Sequence, residues 1–174
     1  MEAVKLDHHD QEIPPAERAP VAPPQPMFDL IEMLFFAYRD FVGDADRVLE
    51  SYAFGRAHHR VLHFVHRQPG LSIAELLEIL KITKQSLNRV LKDLLDQGFV
   101  EARAGESDRR QRQLHATPAG CRLALQLAQV QTLRFGRAFD SLGGGGRERA
   151  KAFLMAMIDP EERRKVSALL ERAR

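Results

Sequence analysis

The sequence predicts an α+β fold, a mainly α-helical domain with a small amount of β-structure, and two observations support this prediction. Most of the chain shows the apolar periodicity of helices, whereas one short stretch alternates apolar and polar residues as strands do. The alternation spans Phe99–Ala104 and Gln113–Ala116, on either side of a polar turn, and predicts a β-hairpin. A chain of 174 residues with a single cysteine, Cys121, can bury such a core without disulfides.

The first 26 residues differ in composition from the rest of the chain. Six of the nine prolines lie in residues 14–26, and residues 1–26 carry five acids against two bases. Such a segment has too little apolar surface to offset the entropy of ordering, so a disordered, Pro-rich acidic arm is expected at residues 1–26. The net charge of the arm is −3, which leaves +5 on residues 27–174 although the whole chain carries +2.

Residues 27–174 are predicted to form one domain with three parts. Dimerisation helices occupy residues 27–55 and 118–174, and a lobe of residues 56–117 lies between them. A separate short helix is expected at Asp44–Tyr52, because a glycine comes directly before it. The other helices expected outside the hairpin and its neighbours are Arg56–Arg67, Arg147–Ile158 and one that begins at Pro160.

Two predicted helices have more apolar surface than one small lobe can cover. From Met27 onward, apolar residues occupy more than one helical face. The long helix from Thr117 to Phe139 also carries apolar side chains on two sides. A partner chain can cover these faces, so the pattern predicts a homodimer. The alternative is that the same residues close one monomeric core.

The lobe contains two helices joined by a tight connection. Ser72 and Glu75 form a capping box, in which the side chain of each residue accepts from the backbone N–H of the other, and this fixes a helix start. Thr83 caps a second helix after the short connection Lys81–Thr83. A helix pair of this spacing, followed directly by a two-stranded hairpin, is the order of a winged helix-turn-helix.

One side of the second helix is apolar, and its other side carries side chains that can donate to phosphates or pair with base edges. These side chains are Thr83, Lys84, Gln85, Ser86, Asn88, Arg89 and Lys92. The first acid, Asp93, comes only in the third turn, so the start of the helix carries no charge that repels DNA. We therefore predict that Thr83–Gln97 is a recognition helix for double-stranded DNA.

The turn of the predicted hairpin is rich in arginine. Arg109, Arg110 and Arg112 are expected to enter a narrow minor groove or to hold the phosphate backbone. Asp108 is expected to organise them, because a carboxylate can fix one guanidinium through paired hydrogen bonds. A solvated charged loop is the alternative interpretation, and the position of the turn directly after the helix pair favours a DNA-binding wing.

The sequence resembles the MarR family of bacterial regulators, most strongly from Leu71 to Gly120. The residues that carry the resemblance, besides the helix pair, are Gln97-Gly98-Phe99-Val100, Asp108-Arg109-Arg110, Leu114 and Thr117-Pro118-Ala119-Gly120. The resemblance implies an obligate homodimer whose two winged lobes bind successive major grooves of a pseudo-palindrome. It also implies that Arg110 is the wing residue that enters the minor groove.

Histidines and the single cysteine allow further interpretations. Tyr38, His59 and His63 are predicted to line a pocket for a small-molecule effector, between the dimerisation helices and the lobe. The spacing of His59 and His63 also permits a zinc or haem sensor, but no Cys, Asp or Glu follows at ligand spacing within that helix. We therefore expect no metal and no cofactor. Cys121 is expected to be a small core residue rather than a redox sensor.

The remaining expectations concern activity and location. Enzymatic activity is not expected, because no set of nucleophile, base and orienting group is apparent. No apolar run reaches the roughly 20 residues of a membrane span and no signal peptide is recognisable, so a cytoplasmic protein without a membrane partner is expected. The competing function is a winged helix that binds a protein. Loss of Lys84, Gln85, Asn88 and the wing arginines would leave that function intact and abolish DNA binding.

Overall fold

The computed structural model describes residues 25–105 and 111–172, and these residues form seven α-helices, a short 3₁₀ helix and three strands. The helices are α1 (Phe28–Leu49), α2 (Arg56–Arg67), α3 (Ile73–Leu80), α4 (Lys84–Asp96), α5 (Pro118–Leu142), α6 (Gly146–Met157) and α7 (Pro160–Arg172). The strands are β1 (Leu71–Ser72), β2 (Val100–Ala104) and β3 (Arg112–Ala116). The expected α+β class is confirmed. Of the predicted arm, residues 1–24 lie outside the described residues.

The lobe has an apolar core to which every one of its elements contributes. Its fully buried large side chains are Leu49, Val61, Leu62, Val65, Leu76, Leu87, Leu94, Val100, Leu114 and Leu127. Leu49 comes from the end of α1 and Leu127 from α5, so both flanking helices begin or end inside this core. Burial of such side chains is worth about 1.5–3 kcal/mol each before entropy is counted, and it fixes the relative positions of α2, α3 and α4.

The three strands form one antiparallel sheet with β3 in the centre. β2 pairs with β3 from Val100 opposite Ala116 to Ala104 opposite Arg112, which confirms the expected hairpin. β1 pairs with the other edge of β3, with Leu71 opposite Leu114. The sequence did not predict β1, because two residues are too few to show an alternating pattern. Since β1 leads directly into α3, it connects the helix pair to the hairpin.

Helix α1 continues past Gly43 to Leu49, so the separate helix expected at Asp44–Tyr52 is wrong. Only Glu50–Tyr52 of that segment forms a distinct element, the 3₁₀ helix. A glycine inside a helix costs about 1 kcal/mol relative to alanine. Val42, Ala45 and Leu49 are buried on one stripe on both sides of the glycine, and their packing outweighs this cost.

The helices outside the lobe leave many large apolar side chains exposed. Those on α1 and just before it are Met27, Phe28, Leu30, Ile31, Met33, Leu34, Phe35, Phe36 and Tyr38. Those on α5, α6 and α7 are Leu125, Leu133, Phe135, Leu142, Phe153, Leu154, Met157 and Leu170. We call these residues together the exposed apolar surface. Among the described residues, no helix combines the length and hydropathy that crossing a membrane requires.

Candidate nucleic-acid interface

Helix α4 begins as the sequence predicts, at a side-chain cap. The Thr83 hydroxyl oxygen accepts a hydrogen bond from the Ser86 backbone N–H at 3.2 Å. The same hydroxyl donates to Ser86 Oγ at 2.9 Å. Two of the predicted contact residues are therefore used in starting the helix, and the cap satisfies a backbone donor that would otherwise need water.

Helix α4 has one buried side and one exposed side. The buried side consists of Leu87, Val90, Leu91 and Leu94, which pack into the lobe core. All seven side chains that the sequence predicts to contact DNA are exposed: Thr83, Lys84, Gln85, Ser86, Asn88, Arg89 and Lys92. Because the apolar side fixes the rotation of the helix about its axis, the polar side chains point away from the lobe as a group.

Lys92 differs from the other predicted contact residues in having an acidic partner. Its ammonium group forms an ion pair with the Asp96 carboxylate one turn later on the same helix. The hydrogen bond from Lys92 to Asp96 raises the pKa of Lys92 above its usual value. Both side chains are exposed, so this pair adds little to stability. A phosphate must compete with Asp96 for Lys92, and its DNA contact stays a prediction.

The hairpin of β2 and β3 is the predicted wing, and the ends of both strands next to its turn are exposed. The Gly105 N–H donates to the Gln111 carbonyl oxygen at 2.9 Å, which closes the base of the connecting turn. Asp108, Arg109 and Arg110 belong to residues 106–110, which lie outside the described residues, so their predicted roles stay predictions. Arg112 is the first residue of β3 and is exposed.

Sequence reasoning missed Arg103, a fourth arginine of the wing. Arg103 lies on β2 and is exposed, opposite Gln113 of β3. Its Nε donates to Glu101 Oε1 at 2.9 Å, two residues away on the same side of the strand. The alternation of charge at Glu101 and Arg103 was visible in the sequence, but it was used only to predict a strand. Arg103 adds positive charge near Arg112, and Glu101 offsets part of it.

The turn between α3 and α4 is held from α2. Lys81, the residue after α3, has a left-handed backbone with φ of 52°. The Arg60 guanidinium donates to the carbonyl oxygen of Leu80, the last residue of α3, at 2.9 Å. A helix end leaves such carbonyl groups without partners, so Arg60 supplies one of the missing donors. No pattern in the sequence indicates this contact, because the two residues lie 20 positions apart.

The residues predicted to line an effector pocket lie on two helices. The His59 and His63 rings lie 6.4 Å apart at nearly right angles on α2, and both are partly buried. Burial lowers the pKa of both imidazoles, and nearby Asp46 partly opposes the shift at His59. Tyr38 is 56% exposed on α1, eight residues or about 12 Å of helix before Asp46. A pocket formed by Tyr38, His59 and His63 therefore stays a prediction.

The histidine pair on α2 has the spacing of two metal ligands. Within residues 25–105 and 111–172, no three side chains of the types His, Cys, Asp and Glu lie close enough to hold a metal ion. His59 and His63 therefore provide two imidazoles without a third ligand from their own described chain. Cys121 is partly buried at the start of α5, with its Sγ 3.8 Å from the Ala116 carbonyl oxygen.

The sequence was compared with known protein families and characterised proteins. The sequence model of the MarR family matches residues 54–111, which include α2, α3, α4 and the start of the wing. A curated relative is 46% identical over 134 residues, a length that covers 77% of this chain and 81% of the relative. This relative is the HTH-type transcriptional regulator PetP of Rhodobacter capsulatus.

Solved structures of similar fold share little sequence with the chain. CouR from Rhodococcus jostii, bound to p-coumaroyl-CoA, has a TM-score of 0.64 at 19% identity, over 79% of this chain and 97% of CouR. A Staphylococcus aureus MepR–DNA complex has a TM-score of 0.58 at 19% identity, over 77% of this chain and 97% of MepR. These structures support the winged helix fold, and the relative in Rhodobacter capsulatus supports the family. The chain belongs to the MarR family of winged helix-turn-helix transcriptional regulators.

Proposed function

We propose that the chain acts in the cytoplasm as a homodimeric regulator, without enzymatic activity, that binds a pseudo-palindromic site in double-stranded DNA. The observation that carries the proposal is the division of α4 into a buried apolar side and an exposed side of hydrogen-bond donors. A helix fits the major groove of B-DNA, where each base pair presents a distinct pattern of donors and acceptors. Lys84, Gln85 and Asn88 lie in the first turns of α4, the part of a recognition helix that enters the groove.

The exposed apolar surface supports the homodimer. A soluble monomer rarely exposes a contiguous apolar patch of more than a few hundred Å². Here almost every large apolar residue from Met27 to Tyr38 is exposed, on all sides of α1. A second copy that packs against α1, α5 and α6 would cover this surface and place two copies of α4 about 34 Å apart, one turn of B-DNA.

The proposal includes control by a small ligand bound between the dimerisation helices and the lobe, near Tyr38, His59 and His63. A ligand there would act by changing the distance between the two lobes, since both recognition helices must fit the same duplex together. Two structural neighbours support this by analogy. One was solved with p-coumaroyl-CoA and another with DNA, on the same fold.

The proposed function is tested by selecting fragments from random duplex DNA with the purified protein. A wild-type chain is expected to enrich a pseudo-palindrome. The double variant Gln85→Ala with Asn88→Ala should bind that sequence at least about a hundredfold more weakly, because each substitution removes up to two hydrogen bonds to a base in each half-site. Gln126→Ala is the control, because Gln126 is an equally exposed amide on α5. Wild-type protein that ignores duplex DNA in dilute buffer would contradict the proposal.

Salt dependence gives a second measurement of the same interface. Lys84→Ala should reduce the slope of log affinity against log salt concentration by about 2 for the dimer, since each of its two protomers neutralises one fewer phosphate. Lys151→Ala on α6 removes the same charge at an exposed position outside the lobe and should leave the slope unchanged. Equal slopes for the two variants would mean that Lys84 does not contact a phosphate.

A further inference from the structure

We infer that His58 is a positioning residue for DNA reading: it holds the recognition helix α4 against α2 through Asp93. His58 does not contact DNA in this scheme, and the inference rests on the function proposed above. His58 Nε2 lies 3.2 Å from Asp93 Oδ2, although the two residues are 35 positions apart in the sequence. The histidine side chain is only 15% exposed, whereas the Asp93 side chain is 45% exposed.

Two partners determine where the imidazole of His58 carries its proton. His58 is the third residue of α2, and its Nδ1 accepts a hydrogen bond from the backbone N–H of Gly55 at 3.1 Å. An accepting nitrogen carries no proton, so a neutral ring has its hydrogen on Nε2. That hydrogen is then available to Asp93. One ring therefore caps the start of α2 and contacts α4.

The orientation of the ring is fixed by aromatic packing. Phe54, which is buried in the lobe core, stacks on His58 with ring centroids 4.6 Å apart and planes 14° apart. Phe54 also packs edge-on against Phe99 at 5.2 Å, and Phe99 is the residue that precedes β2. Because the ring of His58 cannot turn without disturbing this stack, Asp93 has a fixed donor rather than a mobile one.

A second contact from the same part of α2 reaches the other helix of the pair. Arg60 holds the carbonyl oxygen of Leu80 at the end of α3, as described above. Residues 58 and 60 of α2 thus contact both helices of the helix-turn-helix, one on each side of the tight turn. Leu87 and its buried neighbours prevent α4 from leaving the lobe, and the His58 contact restricts its tilt and rotation. Small errors in tilt matter, because base contacts require positions accurate to about 0.5 Å.

The first test compares Asp93→Ala with Asp93→Asn. Both variants remove one negative charge, so both change the attraction to phosphates equally, and only asparagine keeps an oxygen that can accept from His58 Nε2. We expect Asp93→Ala to bind the selected duplex about fivefold to tenfold more weakly than Asp93→Asn, the usual effect of one hydrogen bond. Binding to a scrambled duplex of the same composition should be equal for the two variants.

The second test keeps the cap of α2 and changes the contact with Asp93. Glutamate at position 58 can still accept from the Gly55 N–H, as in a capping box, but its carboxylate repels Asp93. His58→Glu should therefore bind the selected duplex more weakly relative to the scrambled duplex, and thermal unfolding measures separately the loss of the stack on Phe54. In an Asp93→Ala background the same substitution should leave the ratio of the affinities for the selected and the scrambled duplex unchanged, because the added charge acts on both duplexes alike and the contact it would break is already absent.

The possible outcomes separate the inference from the proposed function. Equal affinities of Asp93→Ala and Asp93→Asn for the selected duplex would overturn the inference. So would additive effects of the substitutions at positions 58 and 93 on the ratio of the affinities for the selected and the scrambled duplex. DNA binding itself would stand in both cases. Nitrogen NMR that shows the hydrogen of the His58 ring on Nδ1 would overturn it as well. A wild-type chain that binds no duplex DNA would end both the proposed function and this inference.

Discussion

The lobe and the helices that flank it use apolar residues in opposite ways. In the lobe, Leu87 and Leu94 of α4 are fully buried by residues of the same chain. On α1, Phe28, Ile31 and Phe35 are each at least 60% exposed, although their sequence is as apolar as that of the lobe helices. The difference teaches that one chain buries the apolar residues of the lobe, whereas the first half of α1 has no core of its own.

The two regions meet at the start of α5. Gly120 of α5 lies so close to the Phe99 carbonyl oxygen that an added Cβ would be 2.0 Å from it. Thr117 caps α5 and also donates from its hydroxyl to the Gly98 carbonyl oxygen at 2.7 Å. The segment between α4 and β2 is therefore in direct contact with the start of the long flanking helix.

The largest expected effect is on the lobe core. Leu94→Ala leaves a cavity at a fully buried position and should lower the free energy of unfolding by about 2–5 kcal/mol. Leu133→Ala removes the same atoms from α5, where the side chain is 63% exposed. Denaturant unfolding at two protein concentrations measures both. The loss of free energy of unfolding in Leu94→Ala should not depend on protein concentration. If Leu133→Ala lost the same amount, also independently of protein concentration, the contrast between the lobe and the flanking helices would be wrong.

The next effect is on assembly. Phe35→Asp places a charge in the exposed apolar surface, where Phe35 is 65% exposed, and should weaken the homodimer by about a hundredfold or more, near 3 kcal/mol. Sedimentation velocity should show a shift toward the 19.7 kDa monomer with the helical content of the lobe retained. Ala57→Asp introduces the same charge at an exposed position in the first turn of α2, where an acid is favoured, and should stay dimeric. A wild-type monomer would refute the dimer.

A smaller effect is expected at the junction of the two regions. Gly120→Ala forces α5 away from the Phe99 carbonyl and should destabilise the protein by about 1–3 kcal/mol, as overpacking does. Gly136→Ala, on the same helix, meets no atom within 4 Å and should stabilise by about 0.5–1 kcal/mol. Thermal unfolding of the two variants measures the contrast, and effects of the same sign would mean that the junction is not tightly packed.

The smallest effect is a pH dependence from α2. Because burial lowers the pKa of His59 and His63 below the ordinary value of 6.5, the unfolded chain binds protons at a pH at which the folded chain does not. The contribution of these residues to the free energy of unfolding is fully present above pH 6.5, and it declines as the pH falls from there toward the lowered pKa of each histidine. His63→Gln should reduce the loss of denaturant midpoint between about pH 8 and about pH 5.5. An unchanged loss would assign the pH dependence to other groups.

Local signals in the sequence predicted the helix starts correctly. The side chains of Ser72 and Thr83 both cap a helix as expected, each accepting a hydrogen bond from the backbone N–H three residues later. A cap uses residues that are neighbours in the chain, so its chemistry is complete within a few positions. The same is true of the leucine pattern of α4, which identified the buried side of the helix and left the exposed donors on the other.

Contacts between distant residues could not be predicted in this way. Gly43 suggested a helix end, and only the burial of Val42, Ala45 and Leu49 along one stripe explains why α1 continues past it. The pairing of His58 with Asp93 and of Arg60 with Leu80 depends on how α2 crosses the helix pair. Each partner alone is an ordinary polar residue or backbone group. The number of residues between the two partners matches no pattern that would predict a contact between them.

The sequence by itself determined the helix pair, the hairpin, the family resemblance and the polar side of α4, because each depends on residues close together in the chain. The tertiary structure alone decided the length of α1, the third strand and the contacts that hold α4 in place. The physical reason is that burial and hydrogen bonding between distant segments are properties of the packed chain. They outweigh local preferences of about 1 kcal/mol wherever the two disagree.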